Sequence, residues 1–212
     1  MINLIKLRLM QIVEHIGDKG WKSFIKEVIY FNRKAILVEK NLWEAVNRID
    51  FLRINNIDFI ELTPETFPRD RYTFYSRNRM LKTLHYLKKG YCGHALVKEN
   101  AVIGEIWYFA LNKNLKAAQC PDIQWLKFSL TEESVYSFDI FVVPTERGKN
   151  LSTALQSTAM YSLFVKGYKK AYAYYWADNT PAVWNPWVIN KWKELRPVAV
   201  CQILIWKLIS HA

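Results

Sequence analysis

A β-rich run that stops at a proline precedes a basic turn and an amphipathic pattern between Val135 and Leu155. Pro144 ends the run, because proline cannot donate a hydrogen bond to a sheet ladder. Leu151 then begins an apolar pattern with helical spacing that continues through Ala154. The segment therefore predicts a strand, a turn and a helix in that order.

The turn carries the sequence Arg147-Gly148-Lys149. The first amide N–H groups of a helix lack partners within the helix, and together with the helix dipole they attract anions. Arg147 and Lys149 add positive charge, and Gly148 allows a ligand to approach the backbone closely. These residues predict an anion-binding turn, with an ordinary strand-to-helix turn as the alternative.

The chain after residue 56 alternates between strand and helix patterns. Such an order is typical of an α/β (α+β) domain with a mixed sheet. Helices are predicted at Arg77–Lys89, Leu151–Val165 and Thr180–Ile189. Strands are predicted at Phe59–Leu62, at Gly93–Lys98 and Ala101–Leu111 with the tight turn Glu99-Asn100 between them, and at Val135–Val143 and Ala171–Ala177. A final strand or strand pair is predicted at Pro197–Leu208.

The first 56 residues are predicted to form an N-terminal extension, and residues 57–212 the main domain. Residues 2–16 have apolar positions at helical spacing, which suits either a helix packed on its own domain or one lying on a membrane surface. Val28–Tyr30 and Ala35–Glu39 are rich in strand-forming residues, and Phe31–Lys34 between them suggests the turn of a hairpin. Leu42–Leu52 suggests a short helix.

The composition narrows the class of protein. Of 212 residues, 51% are hydrophobic, which is ample for a core, and the net charge of +11 favours anionic partners without choosing among them. No apolar run approaches the ~20 residues that a membrane span needs. The three cysteines fit neither a disulfide framework nor a metal-binding pair, and no leader peptide is recognisable. A cytoplasmic protein without a metal site is therefore expected.

The segment Val142-Val143-Pro144-x-x-Arg147-Gly148-Lys149-x-Leu151 resembles the acetyl-CoA signature of the GNAT N-acetyltransferase superfamily. In that family the signature follows the fourth strand and holds the cofactor pyrophosphate. Its usual form is Arg/Gln-x-x-Gly-x-Gly/Ala, with Arg147 in the first position. Asn150 stands at the glycine position, where it tolerates left-handed backbone, and Ser152 stands at the small-residue position. The resemblance extends from Ile57 to the C-terminus.

The resemblance implies a mixed, mostly antiparallel sheet, flanked by helices, whose fourth and fifth strands splay apart to admit the pantetheine arm of acetyl-CoA. It implies that backbone groups of Phe141 and Val143 bond this arm and that Asn179 lies at the splay. The cofactor-binding residues that it implies are Phe141, Val142, Val143, Arg147, Gly148, Lys149, Asn150, Leu151, Ser152 and Asn179.

The family transfers the acyl group by direct attack of an amine on the thioester. Asp139 and Glu105 are candidate bases acting through water, and His94 is an alternative to them. The family often places the acid, a tyrosine, after the position of Asn179, where this chain has Trp184 and Trp187. Tyr174, or its neighbour Tyr175, is the candidate substitute. The absence of a tyrosine after Asn179 also leaves open the alternative that the protein binds acyl-CoA without catalysing transfer.

Basic and aromatic residues alternate between Phe67 and Tyr91, a region that borders the acceptor site in the family. Arginine pairs carboxylates and phosphates in bidentate fashion, so an anionic acceptor is expected. Such alternation also suits single-stranded nucleic acid. We therefore predict acetyl transfer to the primary amine of a small molecule or peptide. The alternative is a non-catalytic acyl-CoA-binding or nucleic-acid-associated module on the same fold.

Overall fold

The computed structural model describes Trp21 and residues 30–63, 65, 67, 71–112, 115–179, 191–203 and 206–211. These residues form one sheet of nine strands: β1 Tyr30–Asn41, β2 Asp58–Leu62, β3 Thr73–Phe74, β4 Cys92–Lys98, β5 Ala101–Ala110, β6 Ser134–Val142, β7 Lys170–Trp176, β8 Lys193–Ile203 and β9 Trp206–His211. Their α-helices are α1 Ile49–Ile54, α2 Arg77–Lys88, α3 Ile123–Leu126 and α4 Leu151–Val165.

The strand order across the sheet is β2-β4-β5-β6-β7-β1-β8-β9, and the short β3 pairs with the start of β5. The pairs β6–β7 and β3–β5 are parallel, and the other pairs are antiparallel. Because β6 and β7 run in the same direction, the chain must cross over between them, and α4 forms that connection. The predicted mixed, mostly antiparallel sheet flanked by helices is confirmed.

Several elements match their sequence patterns closely. Helix α4 has the predicted bounds, and Gly167 follows it with a positive φ of 96°. The predicted turn between β4 and β5 is present, with Glu99 and Asn100 both left-handed, as a tight hairpin turn requires. The final apolar segment is a strand pair, β8 and β9. The predicted helix at Leu42–Leu52 is instead divided into a 3₁₀ turn at Leu42–Glu44 and α1. Residues 180–190, where a helix is predicted, lie outside the described residues.

The predicted hairpin turn at Phe31–Lys34 is wrong. These residues lie within β1, a continuous strand of 12 residues that pairs with β7 on one side and β8 on the other. The strand-forming partners are far away in the chain, at Lys170–Trp176 and Lys193–Ile203. Residues 30–41 therefore lie inside the sheet, between β7 and β8, and the strand predicted at Ala35–Glu39 is part of β1. The helix predicted at residues 2–16 lies outside the described residues.

The sheet has a hydrophobic core on each face. On one face, α4 buries Leu151, Ala154 and Leu155 against strands β1, β5 and β6. On the other face, α2 and the segment 115–130 cover Trp107, Phe109 and Tyr136, which are fully buried. We call these the α4 face and the α2 face. No described helix is long and apolar enough to cross a membrane.

We expect Leu37→Ala to lower the free energy of unfolding by about 2–5 kcal/mol, because it removes a buried side chain from β1 and leaves a cavity. Lys34→Ala, at an exposed position of the same strand, should change it by less than about 0.5 kcal/mol. Urea unfolding of both variants measures the difference. Equal and small effects would mean that β1 is a loosely attached extension after all.

Candidate functional site

The parallel pairing between β6 and β7 ends early. Ser134–Tyr136 pair with Lys170–Tyr172, and beyond these three residue pairs the two strands separate. An opening therefore forms in the middle of the sheet, toward the carboxyl ends of both strands. The predicted splay of the central strands is present here.

A β-bulge lies in β6 at the opening. Glu105 of β5 faces Phe141 and Trp107 faces Phe138, so Asp139 and Ile140 together oppose the single residue between. Asp139 has a positive φ of 49°, a conformation that aspartate adopts more readily than most residues. Because a bulge bends and twists its strand, this bulge directs β6 away from β7, while β6 stays paired with β5.

Asp139 is held by two cations of α2. Lys82 Nζ lies 2.8 Å from its Oδ2, and Arg79 Nη1 lies 3.3 Å from its Oδ1. Burial acts to raise the pKa of Asp139, but the charges of Lys82 and Arg79 outweigh it and lower that pKa below its ordinary value. The side chain predicted as a base is therefore ionised at neutral pH and has a weak affinity for a proton.

Glu105, the other carboxylate predicted as a base, is buried under α2. Its Oε1 accepts a hydrogen bond from Arg79 Nε at 2.5 Å, and its Oε2 accepts from Thr83 Oγ1 at 2.9 Å and Trp107 Nε1 at 3.1 Å. Neither of the two spaces described below is lined by Glu105. Glu105 therefore lies away from the opening. From its buried position it holds Arg79 against the bulge.

A cleft of about 830 Å³ lies on the α2 face of the opening. One wall is α2, which contributes Lys82, His85, Tyr86 and the following Lys89, and the opposite wall is aromatic. The floor is the bulge of β6. The aromatic wall consists of Trp125, Tyr174 and Trp176, and Asn179 also lines the cleft. Of the predicted site residues, Asp139, Tyr174 and Asn179 therefore meet in one cleft.

A smaller cavity of about 100 Å³ lies on the α4 face of the same opening. It shares Ser137–Ile140, Tyr174 and Tyr175 with the large cleft. Its remaining lining comes from β1, β5, β7, α4 and the residue before β8, with Val38, Ile106, Ala173, Gln156 and Trp192. The large cleft is lined by residues of the α2-face core, such as Trp125, and the small cavity by residues of the α4-face core, such as Val38. The two spaces therefore lie on opposite sides of the opening and share the residues that flank it.

Tyr174 and Tyr175 differ in their surroundings. Burial, followed by the negative charge of Asp122, raises the pKa of Tyr174, so its hydroxyl keeps its proton at neutral pH. Its ring packs edge-to-face on Trp125 with centroids 5.0 Å apart. The hydroxyl of Tyr175 donates instead to Glu194 Oε1. The pKa of Tyr175 is raised as well, by burial and by this hydrogen bond, so the two differ in that only the hydroxyl of Tyr175 is bound to Glu194. Tyr174 is therefore the better placed of the two to donate a proton at the opening.

The predicted anion-binding turn connects β6 to α4. A 3₁₀ turn at Pro144–Glu146 leads to Gly148 and Asn150, which have positive φ values of 79° and 60°. Asn150 therefore adopts the left-handed backbone expected of it, and α4 begins at Leu151. A Cβ atom added to Gly148 would meet no described atom within 4 Å, so the space over the turn is open.

The two basic side chains of the turn make local contacts. Arg147 Nε donates to the carbonyl oxygen of Val142 at 3.1 Å, and Lys149 Nζ lies 3.0 Å from Glu146 Oε2. Arg147 thus ties the turn to the end of β6. Lys149 and the backbone remain the sources of positive potential at the start of α4, because helix N-termini carry a partial positive charge.

The predicted backbone contacts at the end of β6 require a correction. The N–H of Val143 donates to the carbonyl oxygen of Ile103 in β5 at 2.9 Å, and Phe141, two residues earlier, faces β5 in the same way. Successive residues of a strand direct their backbone groups to opposite sides. The backbone of Val142 therefore faces the opening, and that of Phe141 and Val143 does not.

His94, considered above as an alternative base, lies in the core of the α4 face. Its ring stacks on Phe59 with centroids 4.8 Å apart, and its Nε2 lies 3.2 Å from Ser162 Oγ. Burial, with a smaller contribution from the charge of Lys166, lowers the pKa of His94 to about 3. The residue lines neither space and has a structural role.

The aromatic residues between Phe67 and Tyr91 are largely explained by packing. Tyr86 packs on Trp107 and edge-to-face on Phe138, and Tyr91 packs on Phe109. Their ring faces are therefore used inside the protein, whereas nucleic acid binding requires faces on which bases stack. Arg69, Trp184 and Trp187 lie outside the described residues.

Most residues of the cleft wall are not among those predicted from the sequence. The spacing of Lys82, His85 and Lys89 places them along one side of α2, and this pattern was available in the sequence. Trp125, Trp176 and Trp192 gave no such signal, because only the folded chain brings their distant positions together.

Comparison with known proteins supports the fold. The fungal multi-domain GH3 β-N-acetylglucosaminidase that contains a GCN5-related glucosamine N-acetyltransferase region is similar over 92% of this chain, with a TM-score of 0.56 and 16% identity. A tandem GNAT protein from the clavulanic acid biosynthesis pathway covers 87%, with a TM-score of 0.52 and 10% identity. The GCN5-related N-acetyltransferase from Sphaerobacter thermophilus covers 90%, with a TM-score of 0.51 and 8% identity.

The chain has the GNAT fold. It spans 22%, 54% and 56% of the length of these three chains, respectively. No family model matches the sequence, and no curated protein matches it. At 8–16% identity the likeness concerns the fold alone.

We expect Asp139→Asn to lower the free energy of unfolding at pH 7 by on the order of 3 kcal/mol, because Lys82 and Arg79 lose a buried counter-charge. Asparagine keeps the shape and tolerates the left-handed backbone. The pKa of Asp139 is lowered on folding, so its contribution is present above the ordinary value of about 3.9 and is lost as the pH falls through the folded value.

Urea unfolding of wild type and variant between pH 7 and pH 2 measures this difference. The two stabilities should converge at the acidic end. A constant difference across the whole range would show that the loss comes from packing and not from charge.

Proposed function

We propose that this protein is an N-acyltransferase that transfers an acetyl group from acetyl-CoA to a primary amine. The observation that carries the proposal is the opening between β6 and β7, whose residues Ser137–Ile140, Tyr174 and Tyr175 line both the cavity on the α4 face and the cleft on the α2 face. Two reactants bound on opposite faces would meet there. Holding two reactants in one geometry is a large part of catalysis by positioning.

The turn before α4 fits the pyrophosphate of coenzyme A. Its backbone is left-handed at Gly148 and Asn150, the space over Gly148 is open, and a helix of 15 residues follows. We assign pyrophosphate binding to the backbone of Gly148–Ser152 with the charge of Lys149, while Arg147 supports the turn. Val142 offers its backbone N–H to the pantetheine arm, because its carbonyl oxygen already accepts from Arg147, and Asn179 lines the cleft.

Bound acetyl-CoA would supply an activated acyl carbon. As the amine nitrogen bonds to that carbon and the carbon–sulfur bond breaks, the nitrogen loses a proton and the sulfur gains one. Tyr174 holds a proton at the opening and serves as the acid. Asp139 has a lowered pKa and is already paired with Lys82 and Arg79, so it is a weak base and serves to anchor the cleft. An amine that arrives as an ammonium ion must first give one proton to another base, because only the neutral nitrogen can attack. His85 lines the same cleft and is the residue type most often used as a general base.

The cleft sets limits on the acceptor. Lys82 is paired with Asp139 at the floor, and Lys89 lies seven residues further along, about 10 Å away at 1.5 Å per helical residue. We propose a small acceptor whose amine lies at the floor and whose anionic or polar end lies toward Lys89. Because the fungal region named above is a glucosamine N-acetyltransferase, an amino sugar is a suitable first acceptor to test.

We expect Gly148→Asp to weaken acetyl-CoA binding by more than tenfold, because it places a carboxylate over the turn. Gly167→Asp is the matched control: it lies at the other end of α4, also has a positive φ, and has the same open surroundings. Both changes carry similar backbone strain, and aspartate tolerates it. Isothermal titration gives the affinities, and the shift in melting temperature at saturating acetyl-CoA gives an independent measure.

Equal affinity in wild type and both variants would overturn the pyrophosphate assignment. A wild-type protein that binds neither acetyl-CoA nor CoA would overturn the proposed function itself.

We expect Tyr174→Phe to lower the rate of acetyl transfer to glucosamine by about 10²-fold with little change in acetyl-CoA affinity, because a general acid typically contributes 10²–10⁴-fold. Tyr172→Phe is the control, since Tyr172 lies on the same strand where it still pairs with β6 and lines neither space. Release of the CoA thiol measures the rate. A Tyr174→Phe enzyme that keeps its full rate would exclude Tyr174 as the acid.

A further inference from the structure

Asp122 is a carboxylate of the large cleft that has no cation partner among the described residues. It precedes α3 with a positive φ of 62°, is half-buried and lines the cleft. Its Oδ1 accepts a hydrogen bond from Trp125 Nε1 at 2.7 Å, and its Oδ2 accepts one from Tyr136 Oη at 3.0 Å. Both donors are neutral, so they fix the side chain in place without balancing its charge.

Asp139, the other carboxylate that lines the cleft, is in the opposite situation. Its charge is balanced by Lys82 and Arg79 of α2. A partly buried charge is unfavourable unless it is paired, so Asp122 gains a favourable interaction from a cation that enters the cleft. Asp122 is therefore the better placed of the two carboxylates to bind a cationic group of a ligand.

The charge of Asp122 acts on the space of the cleft. Burial is the main cause of the raised pKa values of Tyr91, Cys120 and Tyr174, and the negative charge of Asp122 raises each of these pKa values further. All three residues line the cleft. They remain uncharged at neutral pH, and none of them supplies a counter-charge to Asp122.

The wall next to Asp122 is aromatic. Trp125, whose indole is bonded to Asp122, packs edge-to-face on Tyr174 with centroids 5.0 Å apart. The Trp125 ring also lies nearly parallel to that of Trp176, at an interplanar angle of 8°. This wall already binds one cation, because the guanidinium of Arg33 lies over the Trp176 ring, 4.6 Å from its centroid. Aromatic rings attract cations, tryptophan most strongly, so the wall adds to the attraction of the carboxylate.

We propose that Asp122 and this aromatic wall bind a second cationic group of the acceptor, while another amine of the same molecule is acetylated at the opening. The inference rests on the proposed function and names its acceptor class, which is a small molecule with two amino groups. Because Trp125 contacts both Asp122 and Tyr174, one indole ring separates the bound ammonium from the proposed acid. An anionic or polar end of such an acceptor still lies toward Lys89.

The first test compares three acceptors of equal length in acetyl transfer, measured as kcat/KM by release of the CoA thiol. Putrescine has an amine at both ends, and aminobutanol and γ-aminobutyrate carry a hydroxyl or a carboxylate in place of one amine. At low ionic strength wild type should prefer putrescine to aminobutanol by about tenfold, the effect of one hydrogen bond between charged groups. γ-Aminobutyrate should be the poorest of the three, because its carboxylate is repelled by Asp122.

The second test uses variants. Asp122→Asn keeps the shape of the side chain, and asparagine tolerates its positive φ. The preference for putrescine over aminobutanol should fall to within about twofold in this variant, and isothermal titration with saturating CoA should show putrescine bound about tenfold more weakly. Asp58→Asn is the matched control, because Asp58 is exposed on the edge strand β2 and does not line the cleft.

A further variant keeps the inference testable if Asp122→Asn does not fold. Gln124 is exposed, lines the cleft and lies two residues from Asp122. Gln124→Lys supplies a competing cation and leaves the two hydrogen bonds of Asp122 in place, so it should also weaken putrescine binding.

The inference is overturned if wild type and the folded Asp122→Asn and Gln124→Lys variants bind putrescine equally. It is also overturned if wild type acetylates aminobutanol or γ-aminobutyrate as efficiently as putrescine. A wild-type protein that binds putrescine through Asp122 but acetylates none of the three amines would instead overturn the proposed function and leave the cation site standing.

Discussion

The hydrogen bonds between β6 and β7 stop after three residue pairs, and the candidate site depends on that separation. In a continuous sheet the backbone groups of both strands would be paired and the two faces would be closed off from each other. Here the bulge at Asp139 bends β6 away, and the chain then enters the turn before α4. One local irregularity thus aligns the basic turn before α4, an opening through the sheet and a cleft on the far side.

An ion cluster holds this irregularity in place. Arg79 lies between Glu105 of β5 and Asp139 of the bulge, and Lys82 pairs with Asp139 from the next turn of α2. Two cations and two carboxylates balance each other, so burial does not leave an uncompensated charge. The cluster also joins the helical wall of the cleft to its floor. The carboxylates that a sequence suggests as bases are therefore better understood as the anchor of the site.

The elements that sequence patterns predicted well are those governed by local rules. Helix α4, its left-handed start at Asn150 and the tight turn at Glu99-Asn100 follow from apolar spacing and from residues that tolerate positive φ. Strand β1 was predicted only in part, at Ala35–Glu39, and a turn was predicted before it because Asn32-Arg33-Lys34 has the composition of a turn. Its strand conformation is stabilised by partners at least 129 residues away in the chain. Pairing at that distance leaves no local signal.

The site divides in the same way. The resemblance carried by Arg147-Gly148-Lys149 identified the turn and the opening, and the strand patterns placed Asp139 and Tyr174 near them. It erred on which backbone groups face the opening, because Val143 bonds Ile103 and the direction of each residue depends on register. Folding also buries Glu105 away from the cleft and places Trp192 in the lining of the small cavity.

By itself the sequence determined the strand–turn–helix unit and the charge at its turn, since these depend on neighbouring residues. Only the tertiary structure decided which side chains line the opening and which carboxylates are paired with cations. Those outcomes depend on strand register and on contacts between residues that are distant in the chain.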